Sequence, residues 1–461
     1  MVGTDKKSRW LDASLRSDAR PPDPILTRAT TVREPLHLTD DERAMQAGDL
    51  GPALRFAMDL VVRAAELLDA PRLIDATFLH IDACHYYGTA HLDFANTLLN
   101  DGARFEIAAW TNTVPVSLIQ DDPRQGSDPV FLEEARALTR VYEKLGARPV
   151  WTCAPYQLPD GPERDDQIIV GESNAVSYYN SVVGARTNKY GDFLDVACGL
   201  VQRVPFAGLH THAGRRGEIV LDVAHLPEEL RRTEFFCHVL GIVMGRHAEN
   251  KIPVIVGLPP DTPPDSLKAI SAAGASSGGV ALFHAVGVTP EAPTLAAALH
   301  DREPEMTIRV SPDTLIAARD ALSTARDGPL AMVALGTPHF SYTEFARLVA
   351  LLDGRKIHDN LALMISTSRH VAALIEEHGW LTSLEAAGAT ILVDTCTYFS
   401  PTIRQASGRV MTNSAKWAYY APGMLPVEVV FASLEDCVAS ACAGEVCRCD
   451  DAWSPSHWGL A

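Results

Sequence analysis

The sequence predicts an α/β fold of doubly wound parallel sheets. Three observations carry the prediction: apolar runs of strand length alternate with amphipathic helical stretches, the connections between them are short, and neither a repeat nor a low-complexity stretch breaks the pattern. At about 150 residues per domain, 461 residues allow two or three domains with real cores. Residues 1–36 are polar and punctuated by Arg20-Pro21-Pro22-Asp23-Pro24 and Glu34-Pro35, which predicts a flexible N-terminal extension. The folded body starts at Thr39-Asp40-Asp41-Glu42, a capping box with acids in the first turn of its helix. A second helix follows over residues 52–70. Then come a strand-like run over 73–81, a helix over 90–99, a run over 105–110 and a long helix over 131–145. The alternation is cleanest near the end, where the run 332–335 leads into a helix over 342–352 and the run 361–365 into a helix over 371–378. The run 391–393 closes the series. The body is expected over 37–449, as lobes 37–300 and 301–449, with 450–461 as a tail.

Composition narrows the function classes. The 40 Lys and Arg against 58 Asp and Glu give a net charge of −18, the wrong sign for tracking nucleic-acid phosphates. A hydrophobic fraction of 47% with 21% charged residues is ordinary for a soluble protein, and no run approaches the roughly 18 apolar residues a membrane span needs. No apolar segment near the N-terminus looks like a secretory signal, which predicts a cytoplasmic, reducing setting. The nine cysteines are therefore read as thiols or metal ligands before disulfides.

In an open parallel sheet, ligands bind outside the carboxyl ends of the strands. Those positions here are Gly336-Thr337-Pro338-His339, Ser366-Thr367-Ser368-Arg369, Asp394-Thr395-Cys396-Thr397, and His80 with Asp82, Cys84 and His85. Cys84 and Cys396 stand among His80, Asp82, Asp394 and Thr395, and are the thiols most suited to soft-metal chemistry. Cys153, Cys198 and Cys237 lie in apolar patterns and read as small buried hydrophobes. Cys447-Arg448-Cys449 has the wrong spacing for half of a tetrahedral zinc site.

On a helix, Ser173, Ser177, Asn180, Ser181 and Gly184 form one stripe of small uncharged groups, either a ligand-facing surface or a close-packing face with Ser173 as N-cap. Arg186-Thr187-Asn188 follows, and arginine is shaped to clamp a carboxylate. Gly274-Ala275-Ser276-Ser277-Gly278-Gly279 reads as a flexible turn able to offer amides to an anion, without the lysine of a phosphate loop. In Thr412-Asn413-Ser414-Ala415-Lys416 the lysine is a carboxylate binder, a tuned base or, taken alone, an ordinary snorkelling surface lysine.

Taken together these segments resemble aconitase X, a branch of the aconitase superfamily, from about Leu38 to about Gly444. The resemblance is carried by His80-Ile81-Asp82-Ala83-Cys84, Thr152-Cys153-Ala154-Pro155-Tyr156, Glu172-Ser173-Asn174-Ala175, Gly184-Ala185-Arg186-Thr187-Asn188 and Ser276-Ser277-Gly278-Gly279. It continues through Gly287-Val288-Thr289-Pro290-Glu291-Ala292, Gly336-Thr337-Pro338-His339, Asp394-Thr395-Cys396 and Asn413-Ser414-Ala415-Lys416. It implies aconitase-like α/β lobes around a central cleft, and a hydro-lyase that dehydrates a small hydroxy acid with an iron-sulfur cluster as Lewis acid. Known activities in the family include dehydration of cis-3-hydroxyproline and of phosphomevalonate. The catalytic residues it suggests are Ser173, Asn174, His339 and Lys416. Substrate contacts would come from Arg186, Thr187, Asn188, Ser276, Ser277 and Ser414, and metal ligands from Cys84 and Cys396. Thr337 stands where the family has a third cysteine, and a hard neutral hydroxyl is a poor substitute for a thiolate on iron. The family also uses a small swivelling domain, separate or fused. Nothing after Cys449 is long enough to be one, which predicts a partner subunit. The Cys84 block and the lack of an extra basic cluster lean towards the hydroxyproline branch. Two other readings compete: a mononuclear metal hydrolase built on His80, Asp82, His85 and His339, and a non-catalytic relative that keeps the pocket.

Overall fold

The computed structural model describes residues 35–119, 128–398 and 408–449, together with Trp453, Ser454 and Trp458. Its strands in chain order are β1 (Leu73–Asp75), β2 (Phe78–Ile81), β3 (Ala108–Thr111), β4 (Ile168–Val170), β5 (Arg203–Pro205), β6 (Ile219–Asp222), β7 (Pro253–Val256), β8 (His284–Ala285), β9 (Met306–Arg309), β10 (Met332–Phe340), β11 (Ala362–Thr367), β12 (Ala389–Val393), β13 (Gly408–Thr412) and β14 (Val427–Phe431). They assemble into parallel sheets of order β3-β2-β4, β8-β7-β6-β9 and β12-β11-β10-β13-β14, plus a small antiparallel pair of β1 with β5.

The local chemistry explains most boundaries. Thr39 and Glu42 close the capping box in both directions, at 3.3 and 2.8 Å. Ser341 and Glu344 do the same for the helix Tyr342–Leu352. The run 73–81 is two strands, because β1 leaves to pair with β5 while β2 lies at the centre of the first parallel sheet. The series does not close at Val393: β13, the helix Ala415–Met424, β14 and the helix Leu434–Ala443 follow it. A division near residue 300 falls inside the second sheet, since β9 pairs with β6. Of the tail, Trp453 and Trp458 are buried in the core, with Trp453 edge-on to Phe235; apart from these two and Ser454, 450–461 and the extension 1–34 lie outside the described residues.

The segment Gly274-Gly279, expected as a flexible turn, is the end of the helix Pro264–Gly278. It packs against the helix Glu234–Ala248 so closely that a Cβ on Gly278 would lie 2.0 Å from the carbonyl oxygen of Gly245. The small residues serve this contact, and the hydroxyls of Ser276 and Ser277 turn back onto the carbonyls of Ala272 and Ala273 in their own helix.

The largest sheet positions the site. Its order runs outward from β10 to β12 on one side and from β13 to β14 on the other, so the direction of winding reverses between β10 and β13. Such a switch point opens a crevice at the carboxyl ends of the strands. Thr337-Pro338-His339 end β10 there, and Asn413-Ser414 follow β13. The Ser414 hydroxyl donates to the Thr337 carbonyl and accepts the Trp417 amide, tying the two strand ends to the first turn of the helix that carries Lys416.

Candidate metal centre and substrate pocket

Three buried side chains from distant segments converge at the crevice. Cys153, His339 and Cys396 bring ligand atoms within 4.8 Å of one another. The Cys153 and Cys396 sulfurs are 3.9 Å apart, and the His339 amide donates to the Cys153 sulfur at 3.4 Å. Cys396 lies on the loop after β12, which is anchored where the Arg369 guanidinium grips the Asp394 carboxylate at 2.6 and 2.9 Å.

The His339 ring has a defined tautomer. Its Nε2 lies 3.1 Å from the Thr395 carbonyl, which can only accept, so Nε2 carries the proton. Nδ1 then holds the lone pair and takes the Thr152 hydroxyl at 2.9 Å. Burial holds the imidazole down at about 4, in the neutral form that ligates metals. Burial pushes the Cys153 thiol up, but the hydrogen bond from Cys396, the Lys416 ammonium and the His339 amide outweigh it, and the net shift is downward. Cys396 is pushed well up, first by that same hydrogen bond and then by burial. The contact between the sulfurs thus draws Cys153 towards the thiolate and holds Cys396 as the thiol. Two sulfurs and an imidazole nitrogen are a soft donor set compatible with a metal ion or cluster, and three protein ligands leave room for a further one. Thr337 is buried two residues before His339, and its hydroxyl oxygen has no hydrogen-bond partner.

Beside this group lies a cavity of about 210 Å³ lined by Asp82, Asn112, Glu172, Ser173, Tyr398 and Lys416, among others. Asp82, Asn112 and Glu172 stand just beyond the carboxyl ends of β2, β3 and β4, so each strand of the first sheet contributes one polar group. The Lys416 ammonium is 2.6 Å from Glu172 Oε1. Asn112 donates to both carboxylates, at 3.3 Å to Glu172. Burial opposes the Glu172 charge, yet Lys416 and the Asn174 donors pull its carboxyl down to about 2. Burial likewise works against the Lys416 charge, but Glu172 outweighs it and holds the lysine firmly protonated. Lys416 is therefore a fixed cation and not a free base. Burial, then Glu172, Asp192 and Asp195, push Asp82 well up. The cavity thus sets a carboxyl pushed up, a carboxylate pulled down and an ammonium side by side, their environments splitting them apart. Asn174 joins the two parts: its side chain donates to the Cys153 carbonyl at 3.0 Å and to Glu172 at 2.6 Å.

The other expected site residues divide clearly. Ser173 lines the cavity, but Glu172 is the N-cap of its helix. Cys84 does not join the metal group; its thiol lies against the Ile81 and Asn112 carbonyls at 3.2 and 3.4 Å, and burial, then Asp82, push it well up. Arg186 pairs with Asp165 at 3.0 Å, Thr187 donates to the Asn188 carbonyl at 2.7 Å, and Asn188 holds the Ala207 carbonyl at 3.0 Å. These three knit the fold together, and none lines the cavity. In the stripe, Asn180 and Ser181 bind the backbone at Thr187 and Phe283. His80 and His85 each give a ring proton to a backbone carbonyl, of Thr152 and Thr113, and form no convergent metal group with Asp82 among the described residues. Cys153 escapes a reading of its neighbours because its sulfur partner lies 243 residues away. Glu172 and Asn112 obey the strand-end rule but follow strands of only three and four residues.

Comparison with known proteins gives the same picture along the whole body. Models of the aconitase X first, second and third domains match residues 35–213, 217–320 and 330–443. The chain is 43% identical over 437 residues to the cis-3-hydroxy-L-proline dehydratase of Pseudomonas aeruginosa, covering 94% of this chain and 74% of that one. It is 39% identical over 422 residues to the enzyme of the same name from Hypocrea jecorina, covering 90% and 70%. With the phosphomevalonate dehydratase large subunit of Methanosarcina mazei it shares 31% over 419 residues, 90% of this chain and all of that one. The crystal structure of Thermococcus kodakaraensis aconitase X in its holo-form superposes with a TM-score of 0.78 at 29% identity, covering 88% of this chain and 100% of that one. With all three domains matched in order, the chain belongs to the aconitase X family.

Proposed function

We propose that this chain is a hydro-lyase that dehydrates cis-3-hydroxy-L-proline. The observation that carries the reading is the opposed charge in one cavity: a Lys416 ammonium beside the acids Asp82 and Glu172. The substrate is a zwitterion, so Lys416 can take its carboxylate while the acids take its ring ammonium. Lys416 is the only lysine or arginine among the described residues that line the cavity, and it is already paired with Glu172, which disfavours the dianionic phosphate of phosphomevalonate. Dehydration removes the proton on C2 and the hydroxyl on C3, forming a C2–C3 double bond and one water. Glu172, ionised, is the candidate acceptor for the C2 proton; Asp82, whose carboxyl burial and the neighbouring acids push well up, is the candidate donor to the departing hydroxyl. We assign the Cys153, His339 and Cys396 group as the seat of an iron-sulfur cluster, with His339 in place of the third thiolate. When bound, the cluster supplies a Lewis acid with an open position for the hydroxyl.

We also propose a small partner subunit over the cavity mouth. Tyr87, Tyr419 and Met424 are 64%, 43% and 45% exposed around it, and Tyr87 and Met424 line the cavity. A rim of large apolar groups fits a covering protein surface. The test is turnover of cis-3-hydroxy-L-proline by anaerobically purified chain, with and without a co-expressed small subunit, alongside phosphomevalonate. Turnover of the amino acid only is expected. Turnover of phosphomevalonate only, or of neither by folded, iron-loaded protein with its subunit, overturns the reading. Iron without acid-labile sulfide would overturn the cluster assignment alone.

A further inference from the structure

Lys268 is a buried cation that the reaction above does not use. It lies on the helix Pro264–Gly278, outside the substrate cavity, with its ammonium against Glu344 and 3.2 Å from Asp265 Oδ1. Asp265 in turn accepts the hydroxyls of Ser341, at 2.8 Å, and Thr343. Glu344 also accepts the Ser341 amide at 2.7 Å, so the cluster is fastened to the chain just after His339. Burying such charges is costly, and an apolar side chain of similar volume would pack the helix at least as well. What the lysine adds is direction: its third contact is the carbonyl oxygen of His339, at 3.4 Å. The Gln157 side chain donates to the same oxygen at 3.1 Å.

Every polar atom of His339 is therefore held. Cys153 takes the amide, Lys268 and Gln157 the carbonyl, Thr395 Nε2 and Thr152 Nδ1. A metal on Nδ1 would displace the Thr152 hydroxyl, leaving the backbone clamp and Thr395 to aim the ring. We propose that Lys268 and Gln157 are positioning residues that fix the His339 backbone so that its imidazole faces the Cys153 and Cys396 sulfurs. This inference rests on the reading of His339 as a metal ligand.

The test is titration of the metal-free protein with Co(II) alone, following thiolate-to-cobalt absorption and the dissociation constant. Gln157→Leu removes one donor and leaves the buried charges intact. Lys268→Met combined with Glu344→Gln removes the other together with the acid it touches most closely, leaves Asp265 its Ser341 and Thr343 hydroxyls, and keeps a capping side chain at position 344. Each variant is expected to bind Co(II) about 10-fold to 100-fold more weakly, the usual cost of losing an outer partner of a metal ligand. The thiolate absorption should persist at saturation, because both sulfurs remain. His339→Ala separates the two readings. If it binds Co(II) as tightly as the parent, the ligand reading falls and this inference with it. If it binds more weakly while Gln157→Leu and the paired variant, both folded by circular dichroism, stay within twofold of the parent, positioning alone is overturned. Should the paired variant fail to fold, Gln157→Leu decides by the same limits.

Discussion

Two loops of the first lobe each bury a cysteine, and they differ in what surrounds the sulfur. In the loop after β2, Cys84 is enclosed by backbone carbonyls and by the acids Asp82, Asp192 and Asp195, and its thiol is driven up. In the segment before Pro155, Cys153 meets Cys396, the Lys416 ammonium and the His339 amide, and its thiol is drawn down despite burial. Thiolates, not thiols, ligate metals. The first loop thus keeps its thiol protonated, and the second contributes to a donor set compatible with a soft metal. Burial alone does not distinguish them; the hydrogen bond from a second thiol, joined by Lys416 and the His339 amide, does.

The sharpest way to break this contrast is to remove each sulfur in turn. Cys153→Ser or Cys396→Ser is expected to abolish tight metal binding and lower turnover at least about a thousandfold, since a hydroxyl is a poor soft-metal ligand. Cys84→Ser should keep its metal. Metal content after anaerobic purification reads the difference, and metal loss in Cys84→Ser would collapse the distinction. Next in size is Lys416→Met, which removes the buried cation offered to the substrate carboxylate and should lower kcat/KM about 10²-fold to 10³-fold while leaving the metal in place. An unchanged kcat/KM would remove Lys416 from the substrate site.

A smaller effect tests the acid-rich loop through pH. Burial holds His85 down at about 4, below its usual 6.5. As pH falls between those values the unfolded chain takes up a proton first, so stability is lost, at about 1.4 kcal/mol per pH unit. Burial, against three backbone amides, lifts Asp195 from 3.8 to about 7. There the folded chain keeps a proton the unfolded one has released, so stability falls as pH rises across that window. His85→Asn should therefore flatten the acid-side loss by one proton, and Asp195→Asn should change the slope by one proton in the opposite sense. Denaturant midpoints from pH 4 to 7 measure both, and an unchanged slope in either refutes the corresponding buried charge state.

The sequence pattern conveyed the parallel architecture well, because apolar runs and capping boxes are local signals: Thr39 with Glu42 and the helix Tyr342–Leu352 appear as expected. The strand-end rule also singled out His339 and Cys396, whose ligand atoms the fold brings together. It missed Cys153, whose meaning depends on a sulfur from another lobe, and passed over Glu172, whose strand is too short to stand out. Arg186 and Ser276 mislead for the opposite reason. Arginine beside asparagine, and serine beside glycine, look like ligand chemistry, whereas Asp165 and a close helix contact consume them. A residue's type is visible in the sequence, but whether its hydrogen bonds are already spent is a property of the fold.

Thr337 carries that last point to the smallest prediction. It stands at a strand end between Gly336 and Pro338, it is buried, and its hydroxyl oxygen is unpartnered. An unpaired buried hydroxyl costs free energy, so nothing in the metal-free fold recommends it. Thr337→Cys replaces it with a softer donor of similar size, sacrificing one methyl, for which a loss of about 1 kcal/mol is expected. If Thr337 faces the same metal as Cys153 and Cys396, the added thiol should tighten Co(II) binding about tenfold or more and strengthen the thiolate absorption. If affinity and absorption stay as they were, the threonine points away from the metal, and the Cys153, His339 and Cys396 set is complete without it.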